Sequence, residues 1–225
     1  MRLSILPLGL ACLLVAPPSP ARVHHRAAAH RTGDGGVARV HGTLANGPGG
    51  RRAWHAGGTV RGGEGDLGHA SASGVAGPNG RIAGGHRTTV DGDGTIARQG
   101  GVVALGANGG TMRGGRNVQR NPDGSMQADY AVSDQGAAGG SFNQSGSRTR
   151  GADGERTASR QTEASGVRGS YEGSTTRAGG MLDHDSTIIG ANGNTYEGQT
   201  RVTRGEGLSH SGTCTNAQGQ TFECR

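Results

Sequence analysis

The chain has 225 residues, 47 of them glycine, with one tryptophan, three tyrosines and two phenylalanines. Apolar residues make up 31%, and part of that share sits in the N-terminal segment. Each large apolar side chain supplies roughly 1.5–3 kcal/mol on burial, so this composition excludes the well-filled core of a compact enzyme of this length. The formal charge is +6, and every non-histidine basic residue is arginine, the side chain whose fork pairs with phosphate and carboxylate.

Residues 1–21 read as a secretory signal peptide. Met1 and Arg2 give a positive start, Leu3 to Ala16 is mostly apolar, and Pro17 to Ala21 places small residues at the −3 and −1 positions of a cut after Ala21. The apolar run falls short of the about 20 residues that span a bilayer, so no membrane span is expected after cleavage. Gly9-Leu10-Ala11-Cys12 matches a lipoprotein signal only in part, because Leu13 to Val15 continue the apolar run. The expected address is secreted, periplasmic or at the outer envelope of a bacterium.

Residues 22–30 are expected to be a flexible tail carrying His24, His25 and His30. A cut after Ala21 creates the start Arg22-Val23-His24. Its free amine, two backbone nitrogens and third-position imidazole form a square-planar set suited to Cu(II) or Ni(II). No other cofactor is expected.

From 31 to 180 the chain divides into ten blocks of about fifteen residues, each with glycine at its fourth or fifth place. The turn glycines are Gly80, Gly94, Gly109, Gly124, Gly139, Gly154 and Gly169, and the motif returns at Gly193. Asn or Asp often precedes them, as in Asn79, Asp93, Asn108, Asp123 and Asp153. Asn-Gly and Asp-Gly favour type I′ hairpin turns, in which both central residues take positive φ. About ten residues lie between corners, enough for one strand of roughly 33 Å. Met126, Ala128, Tyr130 and Val132 alternate with polar neighbours, as do Tyr196, Gly198, Thr200 and Val202. The fold class is therefore all-β, a repetitive antiparallel hairpin meander of about fifteen-residue repeats. A β-solenoid needs an inward apolar position in every coil, and none is found. A largely disordered chain is the other alternative, given the glycine content.

Residues 181–213 continue as divergent repeats. Residues 214–225 read as a hairpin closed by Cys214 and Cys224, with turn residues Asn216 and Gly219 between them. Cys12 departs with the signal segment, and an even cysteine count in an oxidising compartment favours one disulfide.

The stretches Gly77-Pro78-Asn79-Gly80, Gly106-Ala107-Asn108-Gly109-Gly110-Thr111 and Asn121-Pro122-Asp123-Gly124 resemble the repeats of bacterial secreted glycine-rich proteins over about 31–203. The resemblance implies export and a repeat fold, and no known activity. Tyr171-Glu172-Gly173 and Tyr196-Glu197-Gly198 are similar to MORN hairpin repeats, whose tryptophan and long charged strand are missing here.

No catalytic constellation is visible, and the chain is expected not to be an enzyme. Gly63-Glu64-Gly65-Asp66-Leu67-Gly68 fits the dinucleotide pattern, but no apolar strand precedes it and no helix is expected to follow. Asp91-Gly92-Asp93-Gly94 lacks the further oxygens of a calcium loop. Ser209 and His210 are neighbours, which on a strand point to opposite faces. The function expected is that of an exported structural or interaction protein of the envelope or extracellular matrix. Its partners would be its own copies, met through edge strands, or an acidic envelope polymer. The second route runs through Arg148, Arg150, Arg156 and Arg160 as a binding row for acidic polysaccharide, lipopolysaccharide or DNA. In sequence, Asp153, Glu155 and Glu163 interleave with that row.

Overall fold

A computed structural model describes residues 22–31, 35–62 and 65–224, so the signal-peptide segment 1–21 lies outside the described residues. The strands are β1 Arg22–Arg31, β2 Val37–Asn46, β3 Arg52–Arg61, β4 Leu67–Gly77, β5 Gly80–Val90, β6 Ile96–Gly106, β7 Thr111–Arg120 and β8 Met126–Gln135. They continue as β9 Ser141–Arg150, β10 Arg156–Gly166, β11 Gly169–Ala178, β12 Met181–Gly190, β13 Thr195–Thr203, β14 Gly207–Thr215 and β15 Thr221–Phe222. All fifteen join in chain order as one antiparallel meander sheet, open at β1 and β15. Among the described residues no helix is long and apolar enough to cross a membrane.

The segment 22–30, expected as a flexible tail, is instead the edge strand β1, paired from Arg22↔Asn46 to Arg31↔Val37. The physical reason is the open ladder of β2, whose backbone donors and acceptors β1 satisfies in register.

The corners also differ from expectation. No described non-glycine residue has positive φ, so the Asn and Asp residues do not adopt type I′ geometry. In Asp91–Thr95, Asp91 N–H donates to the Thr95 carbonyl at 2.9 Å and Gly94 N–H to the Asp91 carbonyl at 2.8 Å. Only Gly94 is left-handed, at φ 89°, and the Asp93 carboxylate accepts the Thr95 N–H at 2.7 Å. This is a three-residue loop: a type I turn, then one glycine carrying all the positive φ. Asn121–Ser125, Gly106–Gly110, Gly151–Glu155 and Gly190–Asn194 repeat the backbone bonding, with Asp123, Asn108, Asp153 and Asn192 in the accepting role.

No side chain among the described residues is fully buried. The chain exposes 16218 Å², against about 9,500 Å² for a compact protein of this size. The sheet is thus a single layer whose order comes from ladder hydrogen bonds and from pairs of side chains on neighbouring strands.

Glycines inside strands give those pairs their shape. Tyr130 faces Gly146 across β8 and β9, and a Cβ at Gly146 would lie 2.7 Å from the Tyr130 ring. Trp54 lies over Gly74 in the same way, and Tyr196 covers both Gly198 and Gly212. Tyr171 covers Gly173, one of three buried residues, all glycine. With no second layer above, each ring lies down on bare backbone and removes apolar area there.

At the C-terminal edge Cys214 and Cys224 form a disulfide with Cα atoms 5.4 Å apart. Asn216 organises the enclosed turn, its side-chain Oδ1 accepting the Gln218 and Gln220 N–H groups at 3.0 and 2.8 Å.

Candidate functional site

Directly paired residues share a face, so register carries face assignment from strand to strand. Tyr130, Tyr171 and Tyr196 lie on one face and Trp54 on the other. Arg148, Arg150, Arg156 and Arg160 all belong to the tyrosine face. Two arginines of β7, Arg116 and Arg120, join them through the pairs Arg116↔Tyr130 and Arg120↔Met126.

These arginines form a grid. One row runs Arg120, Met126, Arg150, Arg156, and the next but one runs Arg116, Tyr130, Gly146, Arg160. With strands about 4.8 Å apart, the ends of each row stand about 14 Å from one another. Arg148 sits between the rows, paired with Ala128 and Ala158. All six are exposed, and none forms an ion pair among the described residues. Arg150 and Arg156 are directly opposite, a like-charge pairing that disfavours the bare sheet.

The acidic residues of the same region go elsewhere. Asp129, Glu163, Glu172, Asp183, Asp185 and Glu197 all belong to the tryptophan face. Glu163 therefore does not interleave with the arginine row as it does in sequence; it pairs with Asn143 and Glu172 on the opposite side. Asp153 and Glu155 lie in the turn between β9 and β10, where Asp153 accepts the Glu155 N–H at 3.0 Å. They soften the field only at the Arg150–Arg156 end. On the tyrosine face of β6–β14 the single strand carboxylate is Asp134, paired with Met112 and Phe142 toward the far end.

On the tryptophan face one arginine is paired with a carboxylate. Arg201 binds Asp183; that hydrogen bond, and then the Asp183 charge, raise the guanidinium pKa.

Two shallow hollows mark the faces. One of about 520 Å³ lies over Gly100, edged by His86, Arg116 and Tyr130. A larger trough of about 790 Å³ crosses the tryptophan face over Ala72, Gly101, Gly115 and Ala131, between Trp54 and Glu163. Neither gathers a nucleophile, a base and an orienting partner. Ser209 and His210 stand on opposite faces.

Among the described residues no group of three or more His, Cys, Asp or Glu side chains converges to hold a metal ion. Arg22, Val23 and His24 occupy the start of β1, opposite Asn46, Ala45 and Leu44. Wrapping them around one Cu(II) or Ni(II) would require those first pairs of the sheet to open. All eight turn glycines have positive φ, with Gly80 and Gly169 at 121° and 126° closing two-residue loops.

Sequence reasoning located four of the six grid arginines and missed Arg116 and Arg120, which lie about thirty residues upstream. A search against protein-family models, against curated proteins and against solved structures finds no match.

Proposed function

We propose that this protein is an exported, non-enzymatic scaffold that holds an acidic polysaccharide of the cell envelope against its tyrosine face. The observation that carries the reading is the sorting of charge: six exposed arginines on β7, β9 and β10 share one face, while six of the seven strand carboxylates of β6–β14 occupy the other. Arginine forks take carboxylates and other oxyanions in bidentate pairs. An open, single-layer face suits an extended polymer better than a small ligand, which favours enclosed pockets. The proposed export rests on the N-terminal pattern of residues 1–21 and on a disulfide of the kind an oxidising compartment preserves.

The test is binding of the mature chain to an immobilised polyuronate across a salt series. Double-stranded DNA and lipopolysaccharide serve as comparators. Affinity is expected to fall steeply with salt, as when several charged contacts release counterions. The double variant Arg116→Gln/Arg160→Gln is expected to lose at least tenfold. Arg113→Gln, one strand position class away on the tryptophan face, is expected to retain binding. Equal loss in both variants, or a curve flat in salt, contradicts the reading, and preference for DNA or lipopolysaccharide contradicts the choice of polymer.

A further inference from the structure

The histidines are sorted as sharply as the arginines. Beyond β1, every histidine lies on the tyrosine face: His41 on β2, His55 on β3, His69 on β4, His86 on β5, His184 on β12 and His210 on β14. Four of them form two diagonal cross-strand pairs. His41 is opposite Gly57, two residues from His55, and the ring centroids are 5.5 Å apart. His69 is opposite Thr88, two residues from His86, and those centroids are 5.7 Å apart.

We infer that the diagonal pairs His41/His55 and His69/His86 are two binding sites for a divalent transition metal ion of the zinc or copper class, each held by two imidazoles with water completing the shell. Two imidazoles bound to one ion at about 2.0–2.1 Å place their centroids roughly 4.5–5.3 Å apart, depending on the angle at the metal. Both pairs reach that range with a few tenths of an ångström of ring movement, and these side chains sit on an open face.

The surroundings prepare the rings. His41 leans over a glycine: a Cβ at Gly57 would lie 2.8 Å from its Cε1, so any larger residue there would push the ring away from this position. Thr59 Oγ1 lies 3.2 Å from His69 Nδ1, which leaves Nε2 as the ligating nitrogen, the outer-shell arrangement that orients metal-bound histidines. His86 is held near Ser71 Oγ, which lies 3.2 Å from Nδ1 and 3.4 Å from Nε2, so Ser71 does not select its ligating nitrogen. The described part of this face from β1 to β5 carries no carboxylate, while Arg39 stands two residues from His41. The lack of carboxylates disfavours calcium and magnesium, which require oxygen ligands, and leaves ions that imidazole binds without carboxylate help; the Arg39 charge opposes every dication alike. Each bound ion would tie neighbouring strands together, β2 to β3 and β4 to β5. The inference is independent of the polysaccharide reading, because none of the grid arginines takes part.

The experiment is a Zn(II) titration of the mature chain followed by calorimetry, with Mg(II) as the control. Two zinc sites are expected that disappear one at a time: His41→Gln removes one equivalent, His86→Gln removes one, and the double variant removes both. Zinc taken up by His24, His25 and His30 would be common to all four proteins and cancels in the difference. Unchanged stoichiometry in the double variant overturns the inference, as does the absence of zinc uptake by the parent chain at micromolar concentration. Carbethoxylation of the unmutated protein reads the same sites without substitution. Zinc is expected to slow modification of His41, His55, His69 and His86 at least tenfold and to leave His184 and His210 unaffected. Equal rates with and without zinc at the four residues overturn it too.

Discussion

Gly166 and Gly169 face each other across the two-residue loop Val167-Arg168, yet alanine should have opposite consequences at the two positions. Gly169 has φ 126°, a region that residues with a Cβ rarely enter, and a Cβ built there would collide with the Ile189 carbonyl oxygen on β12. The backbone conformation alone costs about 1–3 kcal/mol. Relieving the collision separates β11 from β12 near Gly190 and sacrifices a ladder bond of about 1 kcal/mol. Gly169→Ala is therefore expected to cost about 2–4 kcal/mol. At Gly166 a Cβ meets nothing within 4 Å and φ is not left-handed. Gly166→Ala should be neutral or stabilise by up to about 1 kcal/mol, by restricting the unfolded chain. Each strand pairs only with its neighbours in chain order, so the loss should stay local. Amide exchange followed by mass spectrometry should show β11 and β12 of Gly169→Ala exchanging about thirtyfold faster or more, the equivalent of 2 kcal/mol or above, with β4 to β7 unchanged. Equal behaviour of the two variants would refute the reasoning.

Tyr196→Ala should destabilise β13 and β14 by about 2 kcal/mol, because it uncovers Gly198 and Gly212 and removes an aromatic contact. Tyr196→Phe keeps the cover and loses only the 3.0 Å hydrogen bond to His210 Nε2, about 1 kcal/mol; urea unfolding of the two variants checks the order. Reducing Cys214–Cys224, which encloses a loop with a sequence separation of 10, should cost about 2.5–3 kcal/mol, seen as faster exchange confined to β14 and β15. The Thr95 backbone N–H, then its hydroxyl, lower the Asp93 pKa, and the Ser125 hydroxyl, then its N–H, lower that of Asp123. Carboxylates held down in this way stabilise their turns above the ordinary aspartate pKa and lose that contribution as pH falls through the depressed value. Circular dichroism should accordingly be flat from pH 5 to 8 with respect to these turns, with loosening only below about pH 4. Asp93→Asn removes the charge and keeps an oxygen that accepts the Thr95 N–H, so it should loosen this turn at pH 7 about as much as acid does in the parent and abolish the turn's acid sensitivity.

The meander was legible because corner chemistry is local: Asp93-Gly94, Asn108-Gly109 and Asp123-Gly124 each reverse the chain with residues adjacent in sequence. The turn type was not. Asn-Gly permits type I′, and only the bonding of the loop, Asp91 to Thr95 for example, decides that glycine alone takes positive φ. The flexible tail expected at 22–30 failed for a similar reason, since nothing in β1 itself reveals that β2 offers it a ladder. Charge sorting stayed hidden because it needs register. In linear order Glu163 is three residues from Arg160, but an odd spacing on a strand places the two on opposite faces. Reflecting the sequence about Asp153 pairs Arg150 with Arg156 and Asn143 with Glu163; reflecting it about Ala138 seats Tyr130 on Gly146, and reflecting it about Asp123 brings Arg116 into line with Tyr130. Once each corner is treated as a mirror, the second arginine strand, the glycine seats and the histidine pairs follow.

Backbone pairing orders a chain whose described residues bury no side chain. Amide hydrogen exchange on the mature protein, resolved by residue, tests this most directly. Slow exchange should recur through β4 to β13, interrupted at each glycine corner. Protection found only beside Cys214 and Cys224, with the remaining amides exchanging at free-peptide rates, would contradict it.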